Sequence, residues 1–74
     1  MNAIEQIRNS VKVMRKFKAD NRMVCGVKAC VAEDVFANLK NAHVMTRDAV
    51  GKYLLDGVPV FELKDYPKGY ISVE

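Results

Sequence analysis

Seventy-four residues, half of them hydrophobic and with a formal charge of +3, predict one domain spanning 1–74, with a thin stability margin because a chain this short buries only about 60% of its unfolded surface. The apolar content is too high for a disordered tail, and no run of ~20 apolar residues exists to cross a membrane. MNAIEQIRNS lacks the charged and then apolar regions of an export signal, so the expected location is the cytoplasm, with both cysteines reduced.

The charge is unevenly placed. Through residue 22 there are six basic and two acidic residues, whereas residues 23–74 hold six basic and seven acidic. That excess predicts an anionic partner for the N-terminal segment, an acidic protein surface or nucleic acid. In AIEQIRNSVKVMRKFKAD, Ile4, Ile7, Val11, Met14 and Phe17 recur at steps of three or four, which predicts an amphipathic helix over about residues 3–18. Asn2 is its expected N-cap and Ala-Asp-Asn at 19–21 its expected stop. At about 100° per residue, Arg8, Lys12, Arg15 and Lys16 fall together on a face beside the apolar stripe, forming a basic ridge.

RMVCGVKACV, rich in Val and Cys, reads as a strand, followed by a second amphipathic helix marked by Val31, Val35, Phe36 and Leu39. Cys25, Cys30 and His43 stand in the order C-x4-C-x12-H, the spacing of the first three ligands of a C2H2-type zinc finger. No metal is expected here, nor any other cofactor. In a strand of period two the cysteines have opposite parity and point to opposite faces. Asp34 and Lys40 occupy positions where a finger carries core residues, and only Asp48 lies near the place of a fourth ligand. Cys25 is instead expected to pack as a small apolar side chain in the strand, and His43 to be a capping or surface residue. Glu33 and Asp34 read as first-turn acids favoured by the helix dipole.

Asp56-Gly57 between KYLL and VPVFEL predicts a hairpin with a two-residue type I′ turn. Gly51 and this turn favour strand over helix for residues 51–56. Pro59 removes one ladder donor, which predicts an edge or a bulge. Tyr66-Pro67-Lys68-Gly69 supplies a second turn before a last strand, YISVE. The expected class is α+β: an N-terminal amphipathic helix, a strand, a short helix, then a C-terminal three-stranded antiparallel meander.

VAEDVFANLK followed by DGVPVFELKDYPKGYISV resembles small bacteriophage-encoded α+β proteins over roughly residues 23–73. The resemblance implies a phage origin, a role in modulating a host protein or as a virion component, and so a place in the bacterial cytoplasm or the virion. MTRDAVGKYL also resembles the recognition helix of a winged helix-turn-helix domain. That likeness implies a nucleic-acid interface in which Arg47 and Lys52 face the major groove and Lys64 and Lys68 form the wing tip. Asp48, Asp56, Glu62 and Asp65 put acidic groups on or beside the same face, which weighs against it.

No Gly-rich phosphate loop is present, and a single histidine supports no Ser-His-Asp arrangement. An enzyme is therefore the least favoured class. The sequence favours an interaction protein, a monomer or a small homo-oligomer, that binds a protein partner with an acidic surface through Arg8, Lys12, Arg15 and Lys16. The nucleic-acid-binding regulator is the alternative.

Overall fold

The computed structural model describes residues 2–74. Two helices and five strands follow one another as α1 (Ala3–Asp20), β1 (Ala29–Ala32), α2 (Glu33–Asn41), β2 (Thr46–Arg47), β3 (Tyr53–Leu55), β4 (Val58–Leu63) and β5 (Ile71–Val73). The strands form one mixed sheet in the order β2-β3-β4-β1-β5.

Helix α1 begins where expected, with the Asn2 side chain accepting the Glu5 N–H at 2.8 Å. It closes in a Schellman turn. Met23 N–H reaches the Lys18 carbonyl at 2.8 Å, Arg22 N–H reaches Ala19, and Arg22 itself takes the left-handed conformation at φ 54°. His43 ends α2 in a similar way, with φ 55° and its N–H on the Lys40 carbonyl.

The Asp56-Gly57 turn forms as the sequence indicates. Leu55 pairs with Val58, and both turn residues have positive φ, 52° and 81°, the signature of type I′. The segment 46–55, where the winged-helix resemblance puts a recognition helix, is a second hairpin, β2–β3. Its turn is held by Asp48, whose Oδ1 accepts the N–H of both Val50 and Lys52.

The C-terminal meander does not form. Strands β3 and β4 make the expected hairpin, but β5 pairs antiparallel with β1, and β1 inserts between β4 and β5 as a parallel neighbour of β4. The connection 64–70 therefore crosses the end of β1 instead of making a hairpin. Its turn involves Pro67 to Tyr70, one residue later than expected. Both first-turn acids of α2 tie it down: Asp34 accepts the Gly69 N–H at 3.0 Å, and Glu33 accepts that of Asp65. The helix dipole reading of these two residues misses this tertiary role.

Pro59 lies in an interior strand, not at an edge. In a two-residue hairpin Leu55 and Val58 form the hydrogen-bonded pair, so Pro59 opposite Leu54 turns its nitrogen away from β3. On its other side the β1 ladder starts only at Ala29 opposite Val60. The missing donor falls where β1 has not begun, so no ladder bond is lost.

Three further expectations are corrected. The predicted strand in RMVCGVKACV shrinks to β1, and Cys25 lies exposed in the preceding loop beside the fully exposed Val24. Val31 belongs to β1 and not to the second helix. Phe17 leaves the apolar stripe and is 53% exposed.

Both helices pack on one face of the sheet, against strand residues of one parity. The core joins Ile7 and Val11 of α1 and Val35 and Leu39 of α2 to Ala29, Val31, Leu55, Val58 and Val60. Among the described residues no polar or charged side chain is buried. Each large apolar side chain in such a core contributes about 1.5–3 kcal/mol, so a few of them set the stability of the domain. Replacing Gly57 by Val puts a β-branched residue at φ 81°; chemical denaturation should show a loss of roughly 1–3 kcal/mol, and an unchanged midpoint would contradict the turn assignment.

Candidate protein-binding surface

Helix α1 presents three flanks. Ile7 and Val11 point into the core, the ridge of Arg8, Lys12, Arg15 and Lys16 lies on one side, and Val13 and Phe17 lie exposed on the other. The ridge faces the β3–β4 hairpin. There Arg8 Nε donates to Asp56 Oδ2 at 2.6 Å, joining helix to turn. The hydrogen bond and the charge of Asp56 raise the Arg8 pKa further above its ordinary value. Both side chains are about half exposed, so solvent screens the pair and its contribution to stability is small.

Between ridge and hairpin runs a groove of about 460 Å³, walled by Glu5, Arg8, Lys12 and Arg15 on the helix side and by Leu55, Asp56 and Val58 on the other. Ile7 and Val11 complete its apolar lining. A second depression of about 430 Å³ shares Arg15 and Val58 and reaches Lys18, Met23, Cys25 and Gly57. The two adjoin at Arg15 and Val58 and together make up the channel beside α1. Lys18 fixes its far end by donating to the Gly26 carbonyl at 2.8 Å. Among the described residues Lys12, Arg15 and Lys16 have no carboxylate within ion-pair distance. Lys12 and Arg15 therefore line the channel as free cations and Lys16 continues the ridge without lining either depression, while Arg8 is paired with Asp56.

Arg47, Lys52, Lys64 and Lys68 are not gathered on a helix. Arg47 lies in β2 with its guanidinium 4.9 Å from the centre of the Tyr53 ring, a cation–π contact, and Lys52 immediately precedes β3. Lys64 and Lys68 are exposed in the β4–β5 connection. Tyr53 also packs edge-on against Phe36 and lies under Lys40, so the Arg47 contact braces the β2–β3 hairpin against α2.

The three residues of the C-x4-C-x12-H pattern belong to different parts of the fold: Cys25 to the α1–β1 loop, Cys30 to β1 and His43 to the end of α2. Among the described residues no three His, Cys, Asp or Glu side chains come together as a ligand set. Likewise no helix among them is long and apolar enough to cross a membrane.

A second surface escaped the sequence reading. The sheet face away from the helices carries Leu54, Pro59, Phe61, Leu63 and Cys30, with Phe61 40% exposed. The signal was present in VPVFEL, which is apolar at both parities, the pattern of a strand covered on both faces. Neither helix covers it.

Compared with known proteins, the chain matches no family model, no curated protein and no solved structure. Its chemistry must therefore be read from its own surface. Burial and the nearby Glu74 carboxylate, 3.7 Å from the Cys30 thiol, push the Cys30 pKa upward, outweighing the opposing effect of Lys28. A raised pKa leaves less thiolate at neutral pH, and the thiolate is the reactive form. Limited alkylation followed by mass spectrometry should modify the exposed Cys25 before Cys30, and Glu74→Gln should speed Cys30; equal rates at both thiols in the folded protein would contradict this placement.

Proposed function

We propose that this chain is a small non-enzymatic interaction module that takes an acidic segment of a partner protein into the channel between α1 and the β3–β4 hairpin. The observation that carries this reading is the pairing of an apolar channel lining with unneutralised cations at its wall and rim. An extended acidic peptide meets both needs at once: apolar side chains settle on Val11, Leu55 and Val58, and its carboxylates meet Lys12, Arg15 and Lys16. Complementary charge of this kind steers encounter and sets register more than it adds affinity. The phage-protein resemblance supports a host modulator or virion component as the setting.

The nucleic-acid alternative has lost the recognition helix on which its base contacts depended, since residues 46–55 form strands and turns. It survives only as phosphate binding by scattered lysines, with no element to read a groove.

Affinity capture from a bacterial lysate, with and without nuclease, tests the proposal. A protein partner should persist after nuclease and be lost, or weakened at least about tenfold, by Lys12→Glu combined with Arg15→Glu. The thermal midpoint should barely move, because exposed charges contribute little to stability. Retention of every wild-type partner by the double variant would overturn the channel as the site, and loss of all capture on nuclease treatment would favour nucleic acid.

A further inference from the structure

The far flank of α1 and the outer edge of the sheet meet along one line, and neither is used by the core or by the proposed channel. On α1 the residues Gln6, Ser10, Val13 and Phe17 recur at steps of four, three and four, the spacing of a helix-packing seam. Val13 is 69% exposed and Phe17 53%, although each is a large apolar side chain. No charged residue falls within this seam; Lys16 borders it, about 60° round the helix from Val13, whereas Arg8, Lys12 and Arg15 occupy the opposite flank.

Beside the seam lies β5, the end strand of the sheet. Lys28 and Glu74 exchange both backbone hydrogen bonds, and Ala32 N–H reaches the Tyr70 carbonyl. By the alternation of an antiparallel ladder, Cys30–Ser72 is then a hydrogen-bonded pair, and the N–H and C=O groups of Ile71 and Val73 point outward. This edge is three residues long, and Ile71, Ser72 and Val73 put neither a proline nor a charge on it. Between β5 and α1 a depression of about 360 Å³ is lined by Asn9, Ser10, Val13, Met14 and Val73, all uncharged.

We propose that β5 and the Gln6–Phe17 seam of α1 form the interface of a two-fold homodimer, in which β5 pairs antiparallel with its copy about Ser72 and the two α1 helices pack against each other above it. Three properties select a second copy over another partner. First, the outward groups are placed symmetrically about Ser72, so a two-fold axis there pairs Ile71 with Val73 of the partner subunit and, reciprocally, Val73 with the partner's Ile71. Such an isologous contact satisfies all the outward groups of both strands. Second, the seam is neutral in a chain of net charge +3, so two copies meet without like charges in contact, and their ridges stay on the outer flanks.

Third, the spacings close. Paired strands lie about 4.8 Å apart, which puts β5 about 2.4 Å from the axis and β1 about 7 Å from it. Packed helices need about 8–10 Å between their axes, or 4–5 Å each from the two-fold. Helix α1 packs chiefly over β5 among the strands, which is the placement this requires. The result is a continuous ten-stranded sheet with Val13 and Phe17 of each copy set against the depression beside β5 of the other.

Sedimentation velocity over a wide concentration range, together with amide hydrogen exchange, tests the dimer. The mass should double as concentration rises. The Ile71 and Val73 amides should slow by roughly tenfold or more over the same range, while the Ser72 and Glu74 amides, bonded to β1, stay protected throughout. Val13→Lys with Phe17→Lys, at positions already exposed, should give a monomer whose thermal midpoint equals that of the wild type at concentrations where the wild type is monomeric too. Val73→Pro, which removes an outward donor, should also give a monomer, with a lowered thermal midpoint because Val73 packs against the core. A wild-type protein that remains monomeric at the highest concentration overturns the proposal. So does a dimer that survives both variants with fast exchange at Ile71 and Val73, a result that would move the contact to the open sheet face at Phe61. The ridge variant Lys12→Glu, Arg15→Glu should dimerise as the wild type does, so failure of the channel and failure of the dimer are separately visible.

Discussion

Strand β1 is the member on which the rest of the fold depends. Four residues long, it is paired on both sides, parallel to β4 and antiparallel to β5, and its Ala29 and Val31 are wholly buried under the helices. A parallel neighbour requires a crossover. Helix α2 and the β2–β3 hairpin supply it, so the chain leaves β1, crosses the helical face and returns through β4 alongside. Placing β5 on the far side of β1 then requires the 64–70 connection to pass over the strand end, where Asp34 and Glu33 hold it through its backbone N–H groups. The ionic first turn of α2 thus belongs to the sheet as much as to the helix.

A chain of this length can cover one face of its sheet and not both. Helices α1 and α2 close one side over Ala29, Val31, Leu55, Val58 and Val60, and the opposite side keeps Leu54, Pro59, Phe61 and Leu63 at the surface. The same shortage shows on α1, whose apolar residues outnumber the positions that the core can take. Ile7 and Val11 are buried, Met14 is intermediate, and Val13 and Phe17 remain outside. Apolar surface left in contact with water forgoes about 25 cal/mol per Å², which the proposed association would recover.

Charge is distributed to suit that outcome. The ridge cations of α1 sit away from the seam, one of them is neutralised by Asp56 across the hairpin turn, and the rest line or flank the channel. No ionisable side chain is buried among the described residues, and the pKa of the half-buried Cys30 thiol is pushed up first by partial burial and then by Glu74. Electrostatics here has little part in holding the core.

Local signals were legible wherever a few neighbouring residues decide the geometry. The period of Ile4, Ile7 and Val11 defines α1, the Asn2 side chain starts it, and Asp56-Gly57 admits only the tight turn that both positive φ angles confirm. The basic ridge follows from the same helical period, so its four residues could be named before any coordinates. Other features depend on residues far apart in sequence. Nothing within β4, the connection or β5 says that β1 will come between them, because hydrogen bonding along a strand is indifferent to which partner supplies it. The exposure of Phe17 likewise depends on where α1 lies over β5, and the channel lies where Arg8 and Asp56, 48 residues apart, come together. Sequence alone therefore determined helix α1 with its charged face and the Asp56-Gly57 turn, since these are set by periodicity and backbone sterics within a few residues. Strand order, the free flank of α1 and the walls of the channel were decided by tertiary packing, which ranks competing long-range contacts by total buried area.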